Sequence, residues 1–264
     1  MVMESFNNLV FLAAPMFLSL EITPPKRDVE RVMNIVKQAK DIIDAVNVTD
    51  TPLGQPRIPG FIFSIMLKER LGIEPIVHYK TVNMNLTNLK SVLYGCVAAG
   101  VRRFLFMRGD NPAEGSSISD ISPEGLSLWA KRELGVEVGL AVGWPTSIDK
   151  LVSKLSAKPD YVFTQIFLSV EDAEKFRRAF EEAAGKAEWF PPVYCTYLVL
   201  CEENLPTLRE VARLMGLEAP SFKLDMETNI NFIHELERFF EGFMISSPGG
   251  YEHAIRLVKS LRGL

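Results

Sequence analysis

Short apolar runs recur along this chain at intervals of roughly thirty residues, each followed by a segment whose apolar residues return every third or fourth position. The first run, residues 16–20, ends at a single carboxylate, Glu21, and Pro24 and Pro25 then end any strand ladder. Residues 28–39 follow with Val29, Val32, Met33 and Val36 on one helical face. The same alternation predicts further strands over 44–50, 74–80, 102–108, 137–143, 161–167, 192–199 and 242–246. It predicts helices over 57–71, 86–99, 122–134, 147–155, 170–184, 203–215 and 251–261. Gly100 is placed to close the third helix in the left-handed conformation, and Pro123 suits a first helical turn. Residues 225–240 are amphipathic with no strand before them and read as an inserted helix ahead of strand eight. Residues 5–14 read as an extra N-terminal helix over one end. Eight strand–helix units with near-continuous apolar strands predict an α/β fold, a single (β/α)8 TIM barrel over residues 1–264.

Composition narrows the function classes. With 47% hydrophobic and 23% charged residues the chain is globular and large enough to need no disulfide. A net charge of −4 without a Lys/Arg cluster argues against nucleic acid as a partner. No apolar run is long enough to span a membrane. The apolar stretch 9–20 is preceded by Glu4 and by no basic residue, which is unlike a secretory signal. Cys96, Cys195 and Cys201 are odd in number and lack CxxC spacing, so a reducing cytoplasmic setting is expected.

In a barrel, chemistry sits at the carboxyl ends of the strands. Those positions hold Glu21, Thr49, Asp50, His78, Lys80, Arg108, Gly109, Asp110, Trp144, Gln165 and the turn 246–250. Glu21 alone would also suit a helix cap or an ion pair with Lys26 or Arg27. His78, His234 and His253 are scattered, so no metal site is expected. No GxSxG nucleophile motif occurs. Lys80 ends a strand, where an aldolase-type barrel carries its Schiff-base lysine, but a solvated or phosphate-contacting lysine is the simpler reading. The turn SSPGG is either a phosphate site before a helix or a flexible turn.

The segments LEITPP, NVTDTP, HYKT, FLFMRGDNP and FTQIF, in this order and spacing, resemble the methylenetetrahydrofolate reductase family. The resemblance covers residues 16 to 180. It implies a barrel that holds a flavin, FAD or alternatively FMN, in its mouth with a folate-type substrate stacked on it. It implies Glu21 as the general acid that opens the methylene bridge and Asp110 as the acid beside the flavin pyrimidine edge. Gln165 matches the contact to the substrate amide. Thr49, His78, Arg108, Gly109 and Trp144 match flavin-lining positions, with Trp144 standing for the family's tyrosine. The implied partners are a reduced folate or related pterin and an electron donor, with a homo-oligomeric assembly.

The chain departs from the family pattern after Trp144. Of the residues that hold the dinucleotide, Lys154 survives, while Lys150 and Ser153 fill the other places. Leu205 stands where the family stacks an aromatic on substrate or pyridine nucleotide. These departures leave NAD(P)H, a deazaflavin and a partner protein all open as donors. They also keep open a flavin-poor subunit that binds a pterin or a partner, and a phosphate-site aldolase or lyase built on Lys80 and the 246–250 turn.

Overall fold

The computed structural model describes residues 16–214 and 223–264. Eight strands close a parallel barrel in the order β1 to β8. They are β1 (Phe17–Ile22), β2 (Ala45–Val48), β3 (Pro75–Lys80), β4 (Arg103–Met107), β5 (Glu137–Val142), β6 (Tyr161–Thr164), β7 (Val193–Leu198) and β8 (Gly242–Ser246). The helices are α1 (Val29–Ala39), α2 (Gly60–Leu71), α3 (Leu86–Ala98), α4 (Pro123–Leu134), α5 (Ile148–Ser156), α6 (Val170–Ala187), α7 (Leu205–Leu214), α8 (Met226–Leu236) and α9 (Tyr251–Leu261). The chain is therefore a (β/α)8 barrel, and α8 is the inserted helix expected before the last strand. The helix expected over 5–14 lies outside the described residues.

The period of two along each strand sorts its side chains. On β1, Leu18, Leu20 and Ile22 pack outward into a cluster with Val32, Met33 and Val36 of α1. Phe17, Ser19 and Glu21 point the other way, into the barrel. The amino-terminal end of the interior is plugged by aromatic rings. Phe17 stacks on Tyr194 with centroids 4.3 Å apart, Tyr161 sits beside Phe163, and Arg103 lies over the rings of Phe17 and Tyr161. Gly139 is required here, because a Cβ would come 2.0 Å from the Tyr161 ring. Above this plug, Ile76, Leu105, Phe163 and Met244 fill the middle of the barrel.

Helix boundaries follow their caps. Asp28, Asn85, Ser122, Ser147, Ser169 and Asp225 each accept a first-turn amide with the side chain. Gly100 follows α3 at φ +82°, as expected of a left-handed stop. Element ends differ from the expected ranges by up to a few residues, and two of these differences bear on the site. Strand one runs on to Ile22, so Glu21 lies within the ladder, paired in register with Asn47. Strand six stops at Thr164, and Gln165 follows at the barrel mouth with its backbone amide still donating to Val142 O at 3.1 Å.

Candidate active site

At the carboxyl ends of the strands lies a cavity of about 640 Å³. Its walls are Leu105, Met107, Ala141, Val142, Phe163, Ile166 and Met244, with Trp144 and Pro145 at the rim. The polar groups reaching it include Glu21, His78, Thr164, Gln165 and Thr196. Most of these residues are the inward members of the strand alternation, which is why residues from seven strands converge.

Glu21 is held from across the barrel seam. Ser246 Oγ on β8 donates to Glu21 Oε1 at 2.6 Å. Burial raises the Glu21 pKa above its ordinary 4.5, and the Ser246 bond opposes that rise in part. The result is a carboxyl biased toward keeping its proton, facing an apolar cavity. The helix-cap and Lys26 or Arg27 ion-pair readings of Glu21 find no such contact in the fold.

His78 is buried beneath the cavity. Asn47 Nδ2 donates to Ser19 Oγ at 2.7 Å, which turns its oxygen toward His78 Nε2, 3.1 Å away. His78 therefore carries its proton on Nε2 and donates to Asn47. Burial pushes its pKa down to about 3, so the ring stays neutral. Asn47 was not singled out from the sequence, although its inward parity on β2, in step with Glu21 and His78, is the signal that would have found it.

Gln165 spans two loops, its Oε1 accepting from the Trp144 amide at 3.2 Å. Thr49 is turned into the rim, its hydroxyl donating within reach of Ile22 O and Thr23 Oγ1. Arg108, Gly109 and Asp110 sit outside the cavity lining. Arg108 is exposed and donates to Asn111 Oδ1, and Asp110 accepts from the Leu53 amide at 2.8 Å. Gly109 adopts φ +79° against the buried Lys80 chain, and a Cβ there would lie 2.1 Å from Lys80 Cδ. Lys80 Nζ reaches the Thr51 carbonyl and does not line the cavity.

Two expected residues stand apart. Lys154 Nζ pairs with Glu124 at 2.9 Å, between α5 and α4. Leu205 packs into a satellite cluster with Leu168, Leu198 and Leu200, while Val211 of the same helix lines the cavity. Among the described residues, Cys201, Glu203 and His253 form a group able to hold a metal ion. Linear spacing hid it, because its members come from two separate loops. No helix among the described residues is long and apolar enough to cross a membrane.

Fold and site together define a (β/α)8 barrel with a buried carboxyl of raised pKa in an apolar mouth. The model of the family "Methylenetetrahydrofolate reductase" matches residues 8–129. A "Probable methylenetetrahydrofolate reductase (NADPH)" of Caenorhabditis elegans is 25% identical over 233 residues, 79% of this chain and 34% of that protein. A "5,10-methylenetetrahydrofolate reductase" of Pectobacterium carotovorum subsp. carotovorum is 23% identical over 171 residues, 61% of this chain and 54% of that one. These matches make part of the chain similar to the methylenetetrahydrofolate reductase family, and the chain spans about a third and about half of the length of these two relatives. A mutant tryptophan synthase α-subunit from Pyrococcus furiosus superposes with TM-score 0.61 at 12% identity, covering 94% of this chain and 98% of that one, a likeness of fold alone.

Proposed function

We propose that the chain is a flavin-dependent reductase that converts a methylene-tetrahydropterin, of the methylenetetrahydrofolate type, to the methyl form. The observation that carries this reading is Glu21, a carboxyl lifted by burial and anchored by Ser246 at the wall of the apolar cavity. The relatives' names supply the substrate class.

The donor set suits a flavin ring. A cavity of about 640 Å³ with apolar walls accommodates a flat ring system with a second ring laid on it. Trp144 offers an aromatic surface at the rim and His78 lies beneath the cavity, while Thr49, Arg108, Gly109 and Asp110, outside its lining, would approach the ring from the rim. A bound flavin supplies the hydride. The chain's own residues do the rest. Glu21 donates its proton to the outer amine nitrogen of the methylene bridge, opening the ring to a cationic iminium. Gln165, fixed through the Trp144 amide, presents its NH2 group to the pterin amide. Asp110 brings negative charge toward that cation. Neutral His78 adds no competing positive charge.

FAD is the proposed form. The pairing of Lys154 with Glu124 favours a second reading, a subunit that binds a pterin or partner with little flavin, because that lysine is already engaged. The aldolase reading loses its main support, since Lys80 is buried against Gly109 and away from the cavity. A cytoplasmic setting and a homo-oligomer complete the proposal. The test is anaerobic mixing of the purified chain with candidate donors and then with methylenetetrahydrofolate, following flavin absorbance. Bleaching followed by substrate-dependent recovery supports the reductase. A colourless protein that takes up no flavin overturns it.

A further inference from the structure

The turn at residues 246–250 is built into a second, separate cluster. Asn204, fully buried, joins the loop after β7 to the loop after β8. Its Nδ2 donates to Val199 O at 2.8 Å and to Ser247 Oγ at 2.9 Å, and its Oδ1 accepts from Gly249 N at 3.0 Å. The two loops meet so closely that a Cβ on Gly249 would lie 2.6 Å from Glu203 O. A Cβ on Gly250 would lie 2.9 Å from the His253 ring. The two glycines thus do steric work that a flexible turn would not need.

What this close approach brings together is Cys201, Glu203 and His253, with one ligand atom of each within 4.8 Å of the others. His253 Nε2 and Glu203 Oε1 are 3.2 Å apart. A tetrahedral zinc ion with metal–nitrogen and metal–oxygen bonds of about 2.0–2.2 Å sets such a pair about 3.3–3.5 Å apart, so the arms are already near ligand spacing. Cys201 is buried, while Glu203 is exposed and His253 half-buried, so one side of the group is open to solvent.

We propose that Cys201, Glu203 and His253 form a binding site for a divalent zinc-class cation at the barrel rim, with water as the fourth ligand. A thiolate, a carboxylate and a neutral imidazole balance a 2+ charge. Sulfur, nitrogen and oxygen donors in one tetrahedral set suit zinc better than the oxygen-seeking magnesium or calcium. In the metal-free fold Arg256 Nη2 donates to His253 Nδ1 at 2.7 Å, so His253 directs its Nε2 proton at Glu203. Loading the cation displaces that proton and the Cys201 thiol proton. The exposed Arg256 then releases Nδ1, which becomes the protonated nitrogen. The Nε2 proton thus ends on Nδ1, the thiol proton is the one released, and binding weakens as pH falls. This inference does not depend on the reductase reading.

The test is direct. The metal-free full chain is titrated with Co²⁺, followed by near-ultraviolet absorbance, and Zn²⁺ is then added in competition. One equivalent should bind with a thiolate-to-cobalt charge-transfer band, and Zn²⁺ should displace it. Cys201→Ser should remove the band, and Glu203→Gln and His253→Gln should each weaken binding at least about tenfold. His253→Gln, at a half-exposed position, keeps the test open if Cys201→Ser fails to fold. Binding without a sulfur band, less than half an equivalent bound, or affinities unchanged in folded variants would overturn the proposal.

Discussion

Ser246 Oγ donates to Glu21 Oε1 at 2.6 Å, joining the last strand of the barrel to the first at its carboxyl end. The bond leaves Glu21 Oε2 as the oxygen able to carry the proton. It also favours the charged form, so it restrains the rise that burial imposes.

Glu21→Gln keeps the acceptor for Ser246 and removes the acid. Pterin reduction should fall by about 10²–10⁴-fold, the usual contribution of general acid catalysis, while donor-driven flavin reduction stays near normal. Rates measured separately for the two half-reactions check this, and equal losses in both would assign Glu21 a structural role. The wild-type rate should decline as pH rises through the lifted Glu21 pKa. Ser246→Ala should move that decline to higher pH, because the bond that favours the carboxylate is gone.

The same carboxyl gives a stability signature. Its folded pKa lies above 4.5, so the folded chain holds a proton that the unfolded chain releases. Its stabilising share is complete below 4.5 and is lost as pH rises toward the lifted value. Glu21→Gln should therefore melt higher than the wild type at neutral pH, with the gap closing in acid. A constant gap across pH would show that burial does not perturb Glu21.

His78 has the opposite sign. Its folded pKa of about 3 lies below the ordinary 6.5, so the unfolded chain takes up a proton first. Stability from this residue is complete above 6.5 and drains away down to about 3, by at most about 1.4 kcal/mol per pH unit. Denaturant unfolding at a series of pH values should show that slope in the wild type and a shallower one in His78→Gln.

Much of this was legible in the residues themselves. Apolar period and proline punctuation gave the eight units, because buried parallel strands and amphipathic helices leave unambiguous patterns. Glu21, His78 and Gln165 could be read as mouth residues because they fall at strand ends. Asn47 was harder to see, since an asparagine within an apolar run reads as an interruption unless its parity on the strand is followed to its pairing with Glu21. Ser246 was read as part of a turn, because its partner is 225 residues away in sequence. Leu205 and Lys154 lie away from the cavity lining for a different reason. A helix's rotation about its axis is set by packing: Leu205 and Val211 both pack against one apolar cluster, and of the two Val211 lines the cavity.

The proposed choice of electron donor rests on Leu205. With Leu205 in a leucine cluster, a nicotinamide ring lacks an offset-stacking partner worth about 0.5–1.5 kcal/mol. NADH and NADPH should therefore bleach the flavin slowly, and a deazaflavin or an electron-carrying protein should do so faster. Stopped-flow traces with each donor decide it, and rapid saturable bleaching by micromolar NADH would contradict the expectation.

Asp110 offers the sharpest separation of structure from chemistry. Its carboxylate accepts from the Leu53 amide, within a loop where Thr51 at φ +41° and Leu53 at φ +56° both hold left-handed backbone. Such non-glycine residues cost about 1–2 kcal/mol each, so the loop needs an external anchor. Asp110→Ala removes that anchor and should lower unfolding stability by about 0.5–1.5 kcal/mol. Asp110→Asn can keep the bond through its amide oxygen and should stay close to wild type in stability. Under the proposed function, both variants remove a negative charge that would repel an anionic reduced flavin. Both should then raise the flavin midpoint by tens of millivolts, where about 30 mV of a two-electron couple is 1.4 kcal/mol. Hydride transfer to the substrate should slow in both, because the reduced flavin is a weaker donor and the iminium has lost its counter-charge. A wild-type midpoint in Asp110→Asn, with normal substrate turnover, would reduce Asp110 to a loop anchor.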